Sequence, residues 1–589
     1  MRPTQLAWLA AAVLGQLSCL SLVQAQVADD YLVTNLPDLS PEDAAQIKQY
    51  AGHIALDPAK ESNLFFWLVT NKHPQSGSKL VIWLNGGPGC SSADGYFLES
   101  GPLRFVDNKL TINKGGWHEF ANVVFLDQPV GTGLSYTSQQ LLGTLSEVTD
   151  HFLAFLKAFF TIFPERAQDE IYLAGESYAG TYIPYFARGV LDHNDQVPAG
   201  EIAYNLKGLA IGNGWIDPLH QYTSYIPYVV HHNIATPALL DALIHQQDRC
   251  LDEIRIHDRI TQYQCEDLVQ LILQYSVTGG VNPQCTNQYD IRLQDEYPSC
   301  GLMWPSELPQ MKQYLTRGDV LTALHATGAD VPWTECSTRV GSALRFDDST
   351  PAVTLMPGIL ERTNVLLFSG DADLICNHIG TEYMISNMTW QGARGFQNAP
   401  DIHWTVDNVP SGVWRQERNL TYVLLYNASH MVPYDAPLAA LDMMNRFMGL
   451  DHKLQSFTST LDTDLKEEGA LPPGGEMVDI NQPDGLFPSY GSAVLLLVIM
   501  SVGIGIFVVL RNNRRQKKLG GEHSDVQWFP LNSSNSSSRG RRQVLTDELD
   551  ELVVESGIRD SDDEDDEDDH DRAFGSQVDR TRSPLGQRH

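Results

Sequence analysis

The stretch Glu170–Tyr185, "EIYLAGESYAGTYIPY", decides the fold. It passes from an apolar stretch, through two glycines that flank a serine, into a second apolar stretch, so Ser177 stands at a bend among small neighbours. Runs of the same kind recur along the chain: "KLVIWLNGGPG" (79–89), "NVVFLDQPVG" (122–131), "LKGLAIGNG" (206–214), "NVLLFSGD" (364–371) and "TYVLLYNASH" (421–430). Nearly continuous apolar runs closed by turns are the pattern of strands buried on both faces, and helical patterns such as "VTDHFLAFLKAFFTIF" (148–163) fall between them. The expected fold is therefore α/β, with a central sheet of mostly parallel strands. Between about 217 and 345 the strand rhythm stops and amphipathic helical segments take over, with Cys250, Cys265, Cys285 and Cys300 close together among them. This reads as a helical insertion covering the sheet rather than an independent domain.

The ends of the chain set its topology. Residues 1–25 have one early positive charge, an apolar middle and small residues up to Ala25, the pattern of a secretory signal peptide. Tyr490–Leu510, "YGSAVLLLVIMSVGIGIFVVL", is uncharged and about long enough to cross a bilayer, and "RNNRRQKK" follows it directly. By the positive-inside rule this predicts a single-pass type I membrane protein with a lumenal body at 26–450, a Pro-, Gly- and acid-rich stalk at 451–489, and a cytoplasmic tail at 511–589. The tail run "DSDDEDDEDDHD" is a block of like charge that cannot collapse on itself, so the tail is expected to be disordered, with sorting adaptors as its expected partners. The net charge of −33 includes no basic patch, which excludes nucleic acid as a partner. Of eight cysteines, Cys19 leaves with the signal peptide, and an odd number remains in an oxidising compartment. Cys250, Cys265, Cys285 and Cys300 lie close together while Cys90 and Cys336 are distant; two local bridges and one long one suit this spacing, with Cys376 free, but spacing does not set the connectivity. No Cys-x-x-Cys or His-x-x-x-His pair points to zinc, and neither metal nor cofactor is expected. Sequons begin at Asn387, Asn419 and Asn427.

In an open parallel sheet, functional groups collect on loops leaving the C-terminal ends of strands. "GESYAG" has the form of a strand-turn-helix elbow, in which a strained turn holds a serine hydroxyl out of the sheet; Ala179 replaces the glycine of the strict pattern. A serine nucleophile needs a base, and the base needs an orienting acid. His430 follows the last strand-like run, and Asp371 and Asp373 follow the run before it. Backbone amides are also needed where negative charge develops, and Gly86, Gly87 and Gly89 in "WLNGGPGCSS" leave such amides unshielded, with the Tyr178 amide as the other donor.

Taken together, "NGGPGCSS", "DQPVGTGLSY", "GESYAGTYIP", "IGNGWIDP", "GDADLICN" and "ASHMVPYDAP" resemble, in order and spacing, the serine carboxypeptidases over roughly residues 40–450. With the leader, membrane helix and acidic tail, the whole chain is similar to the fungal Kex-type, pheromone-processing branch of that family. The resemblance implies an α/β-hydrolase fold with Ser177 as nucleophile, His430 as base and Asp373, rather than Asp371, as its orienter. It further implies oxyanion donors at Gly87 and Tyr178, and binding of the peptide's terminal carboxylate by Asn85, Gly86, Glu99 and Glu176. Trp215, Tyr222 and Tyr225 are implied near the pocket for the penultimate side chain, Met431 near that for the last, Cys376 in the substrate pocket as a free thiol, and a Cys90–Cys336 bridge. Crowded carboxyl groups raise one another's pKa, so activity is expected to be best at acidic pH. Peptides ending in Lys or Arg are the implied substrates and the trans-Golgi membrane the implied location, while the acid that would select a basic side chain is not evident. An acyltransferase or esterase, which resolves the same acyl-enzyme with an alcohol or acts on esters, and a non-catalytic tethered ectodomain are the rival readings.

Overall fold

The computed structural model describes residues 27–57, 61–73, 78–107, 109–257, 259–328, 332–450 and 455–462. The expected leader, most of the stalk, the membrane helix at 490–510 and the acidic tail lie outside these residues. Eleven strands form one sheet: β1 (Gln49–Asp57), β2 (Ser62–Val69), β3 (Lys79–Leu84), β4 (Asn122–Leu126), β5 (Glu170–Ser177), β6 (Leu206–Gly214), β7 (Asn364–Gly370), β8 (Ile402–Val406), β9 (Val409–Glu417), β10 (Leu420–Leu425) and β11 (Ser459–Asp462). Their spatial order is β1-β2-β4-β3-β5-β6-β7-β10-β9-β8-β11. The six inner strands, from β4 to β10, are mutually parallel, and the strands at both margins pair antiparallel. This is the α/β-hydrolase arrangement, and the six parallel strands are the six apolar runs quoted above.

Alternation along β5 shows why the run had to be apolar on both sides. Ile171 and Leu173 enter one hydrophobic layer, while Tyr172 and Ala174 enter the other. Helix α1 (Leu145–Ile162) covers the first layer with Val148, Phe152, Phe155 and Phe159, at the three- and four-residue spacing of one helical face. It starts at Thr144 through a capping box: the Thr144 hydroxyl accepts from the Glu147 amide and the Glu147 carboxylate accepts from the Thr144 amide. Helix α2 (Ala179–Asp195) packs on the same side, its Phe186 ring stacked 4.3 Å from Phe152. Each such fully buried side chain contributes about 1.5–3 kcal/mol relative to exposure.

Between β6 and β7 the described chain runs through α3 (Pro218–His231), α4 (Pro237–Ile256), α5 (Tyr263–Tyr275), a small two-stranded ribbon, four short α-helices and a 3-10 turn. After β7 comes α6 (His378–Asn387). Disulfides Cys250–Cys265 and Cys285–Cys300 staple the helical segment locally, and their half-cystines share its own small core with Tyr222, Tyr225 and Tyr228. Cys90–Cys336 is different in kind, because it spans 246 positions and ties the loop after β3 to the chain beyond the locally stapled segment. On a chain-entropy basis, closing so long a loop restrains the unfolded chain by about 5 kcal/mol. The Cys90→Ser/Cys336→Ser double variant is therefore expected to lose roughly that much stability in guanidinium unfolding, and a loss below ~1 kcal/mol would contradict this account.

Candidate active site

Ser177 closes β5 with φ of 59°, a left-handed conformation that costs a non-glycine residue about 1–3 kcal/mol and is held only by its surroundings. The Ser177 carbonyl accepts from the Trp215 amide at 2.8 Å, which locks the turn to the end of β6. Small neighbours are obligatory here. A Cβ on Gly175 would lie 2.1 Å from the Leu84 carbonyl oxygen, and one on Gly86 would lie 2.4 Å from the Tyr178 amide nitrogen. The loop after β3 and the serine turn are thus in backbone contact, and Gly87 and Tyr178 line the same space.

His430 lies beyond β10, positioned by groups from three other strands or loops. Asn213, at the end of β6 and fully buried, donates to the carbonyls of Ser429 (3.0 Å) and His430 (2.6 Å) and accepts from the Gly370 amide at the end of β7. The His430 amide donates to the Tyr289 carbonyl, and the Tyr289 ring tilts against the imidazole at 5.1 Å. His430 Nδ1 meets Asp373 Oδ2 at 2.8 Å. A carboxylate on Nδ1 favours the tautomer with its proton there, leaving Nε2 as the basic nitrogen. Burial pushes the Asp373 carboxyl up, opposed by His430 and by the Ile375 and Cys376 amides. Asp371 instead accepts from the Ala428 amide at 3.3 Å, so of the two acids it is Asp373 that reaches the imidazole. The Cys376 thiol is buried, unbridged and hydrogen-bonded to Ser177; burial and the charges of Asp373, Glu176 and Glu266 push it well up, which keeps it a thiol rather than a reactive thiolate.

Beside the serine lies a buried pair of acids. Asn85 Oδ1 accepts from Trp83 Nε1 (2.7 Å) and from the Gly95 amide (3.0 Å), so its Nδ2 must point the other way. That amide donates to Glu99 and to Glu176, each at 3.2 Å. Burial raises both carboxyl groups, and the neighbouring Glu99 charge adds to the desolvation at Glu176, so the pair favours retaining a proton. Two more acids that sequence reading did not single out belong to this region. Asp94 is buried and raised well above the usual range, by desolvation first and then by Glu335, Glu99 and Asp127. Burial holds Asp127 up at about 6 despite hydrogen bonds from Ser91, Ser92 and the Leu134 amide.

A cavity of about 750 Å³ opens over these groups. Asn85, Gly86, Gly87, Glu176, Ser177, Tyr178, Trp215, Tyr225, Cys376, His430 and Met431 all line it. Three expected site residues do not: Asp373 is fully buried and meets the His430 imidazole from behind, and Glu99 and Tyr222 are set back as well. Glu99 is fully buried behind Asn85 and Glu176, so it can act on a ligand only through them. Tyr222 stands behind the Trp215 ring, 5.0 Å from it edge to face, because its hydroxyl is taken up by Glu266. The sequon residues Asn387, Asn419 and Asn427 are exposed. A serine at a strained turn, an acid-oriented imidazole and adjacent backbone amides can carry out acyl transfer.

Comparison with known proteins places this geometry. The family model described as serine carboxypeptidase matches residues 37–449. Pheromone-processing carboxypeptidase KEX1 of Paracoccidioides lutzii is 41% identical over 578 residues, covering 91% of this chain and 89% of that protein. Pheromone-processing carboxypeptidase kex1 of Aspergillus niger is 41% identical over 567 residues, covering 91% of each. The crystal structure of Kex1(delta)p, a prohormone-processing carboxypeptidase from Saccharomyces cerevisiae, superposes with a TM-score of 0.66 at 33% identity, covering 74% of this chain and 99% of that one. A match across the whole catalytic body, together with relatives this similar over nine-tenths of the chain, makes the protein a member of the serine carboxypeptidase family.

Proposed function

We propose that this enzyme removes basic residues, Lys or Arg, from the free C-termini of precursor peptides in the late secretory pathway, tethered there by the segment at 490–510. His430 takes the proton from Ser177 as Oγ attacks the last peptide carbonyl. The oxyanion is held by the Gly87 and Tyr178 amides. His430 then returns the proton to the leaving amine, which frees the terminal amino acid, and a water activated the same way hydrolyses the acyl-enzyme to release the shortened peptide and restore Ser177. Asp373 holds the imidazole in its working tautomer and balances its charge when protonated.

The observation that carries the exopeptidase reading is the Asn85–Glu176–Glu99 cluster beside Ser177. A terminal carboxylate entering there meets the Asn85 and Gly86 region and the protonated Glu176, a donor set that an internal peptide bond or an amidated end cannot use. The relatives are named for pheromone and prohormone processing, which supports precursor peptides as the substrate class, and acids on the cavity wall support a basic end. Glu335 is half-buried, lines the cavity and lies close enough to Asp94 and Tyr289 for its charge to push both of their pKa values up. On this reading Glu335 is the acid that meets a basic last side chain. Glu266 lies by Tyr222 and Tyr225, on the penultimate side. Of the basic residues that also line the cavity, Lys312 and Arg339 are exposed, and Arg345 is half-buried with its guanidinium 4.8 Å over the Tyr263 ring. Peptides ending in Lys, Arg, Leu or Asp, free or amidated, followed by mass spectrometry, test the assignment. Loss of Lys and Arg from free ends alone is the expected result, and equal digestion of amidated peptides would sink it. Glu335→Gln is expected to lower kcat/KM for terminal Lys and Arg by about 10- to 100-fold while leaving terminal Leu unchanged.

A further inference from the structure

We propose that His231, His232 and His378 bind one zinc ion, with Glu382 as the fourth ligand. His231 ends α3, His232 caps it, and His378 opens α6 on the facing helix. One ring nitrogen of each imidazole lies within 4.8 Å of those of the other two. A tetrahedron drawn at ordinary zinc–nitrogen distances has an edge of about 3.3 Å, so side-chain rotations moving each nitrogen by about 1 Å close the set around an ion. Glu382 follows His378 by one helical turn and holds Oε1 3.8 Å from His378 Nδ1 while accepting from the Tyr422 hydroxyl at 3.3 Å; it stands outside the set of three imidazoles, and a side-chain rotation away from Tyr422 is needed to bring it to the fourth position.

Independent observations point to a ligand. His378 is 7% exposed and its Nδ1 makes no hydrogen bond, and the buried Nε2 of His232 makes none either. Buried polar atoms without partners are uncommon, and one ion would satisfy both. The end of α3 also suits a cation, because its last carbonyls add their partial negative charge. Three imidazoles with one carboxylate favour zinc over magnesium or calcium, which take oxygen ligands. Four protein ligands leave no open position, which makes the site structural rather than catalytic. Its place gives it a task. The helix α3 carries Tyr225, whose hydroxyl donates to the Ile375 carbonyl, while α6 follows directly on the loop that bears Asp373 and Cys376. Zinc would pin the helical segment to that loop. The expectation of no metal site, drawn from ligand spacing, does not see it because the third imidazole comes from a helix far along the chain.

The test uses the full chain in detergent, stripped with a chelator and dialysed against micromolar ZnCl2. One zinc per chain by elemental analysis and a rise in Tm of a few degrees, absent with MgCl2, are expected. His232→Ala and, separately, the exposed His231→Ala should each weaken zinc binding by about a hundredfold or more while the protein still reacts with a fluorophosphonate. If His232→Ala does not fold, His231→Ala decides the matter. No zinc uptake, a Tm shift unchanged in His231→Ala, or uptake abolished only by Cys376→Ser, which would put the ion at the Asp373–Cys376–His430 cluster, overturns the proposal.

Discussion

Replacing Ser177 by alanine is expected to lower kcat for a peptide with a free basic end by about 10⁵- to 10⁶-fold, with KM and the unfolding temperature nearly unchanged. The substitution removes one oxygen and keeps the Cβ. The strained turn, its bond to the Trp215 amide and the packing of Gly86 against Tyr178 all remain. What is lost is the only group that can form the acyl intermediate, while the amides of Gly87 and Tyr178 continue to bind a polarised carbonyl, which is why activity should not fall all the way to that of water. The measurement is single-turnover hydrolysis together with fluorophosphonate labelling, which should vanish. A drop of only tenfold, or labelling that persists, would mean that another residue is the nucleophile. Such a result would also revive the reading of the body as a non-catalytic ectodomain.

Glu176→Gln is expected to separate binding from chemistry through pH. Both carboxyl groups of the pair are raised, so at mildly acidic pH a proton remains on Glu176 and can be donated to a substrate carboxylate. As pH rises through the raised pKa that proton leaves, and two buried negative charges then face a third on the substrate. KM of the wild type should therefore increase toward neutral pH, by up to about tenfold per unit once the pair has ionised, with kcat changing little. Glutamine is neutral at every pH and keeps an N–H donor. The variant should show a KM that is level from pH 5 to 7.5, worse than wild type at the acidic end and at least ~10-fold better at the neutral end. Steady-state kinetics on one peptide across that range checks both curves, and a wild-type KM without pH dependence would remove Glu176 from carboxylate recognition.

The inner sheet was legible from sequence because its six parallel strands are apolar on both faces, as Ile171 and Tyr172 on β5 illustrate, and each ends in a turn. The margins were less so. β2 is apolar but ends without such a turn, and β9, "VPSGVWRQE", alternates and is broken by Pro410 and Gly412, so neither has the same signature. Ser177, Asp373 and His430 could be picked out because each follows a strand at the same edge of the sheet. The choice between Asp371 and Asp373, however, depends on a turn whose direction only the coordinates reveal. Depth was the least readable property. Nothing in "FLESGP" says that Glu99 sits a layer behind Asn85, and nothing around Tyr222 says that Glu266 draws its hydroxyl out of the cavity. Asp94 and Glu335 were missed because an isolated acid near a turn or beside a cysteine carries no pattern; their place became visible once the Cys90–Cys336 bridge brought the two loops together.

That sheet order also bears on biosynthesis. The strand that delivers His430 is the sixth parallel strand in chain order and pairs with β7 only after more than four hundred residues have been made. A polypeptide still being synthesised thus already carries its serine turn but lacks the imidazole proposed to activate it. The enzyme stays silent until nearly all of its catalytic body has been delivered, so a nascent copy cannot trim its neighbours.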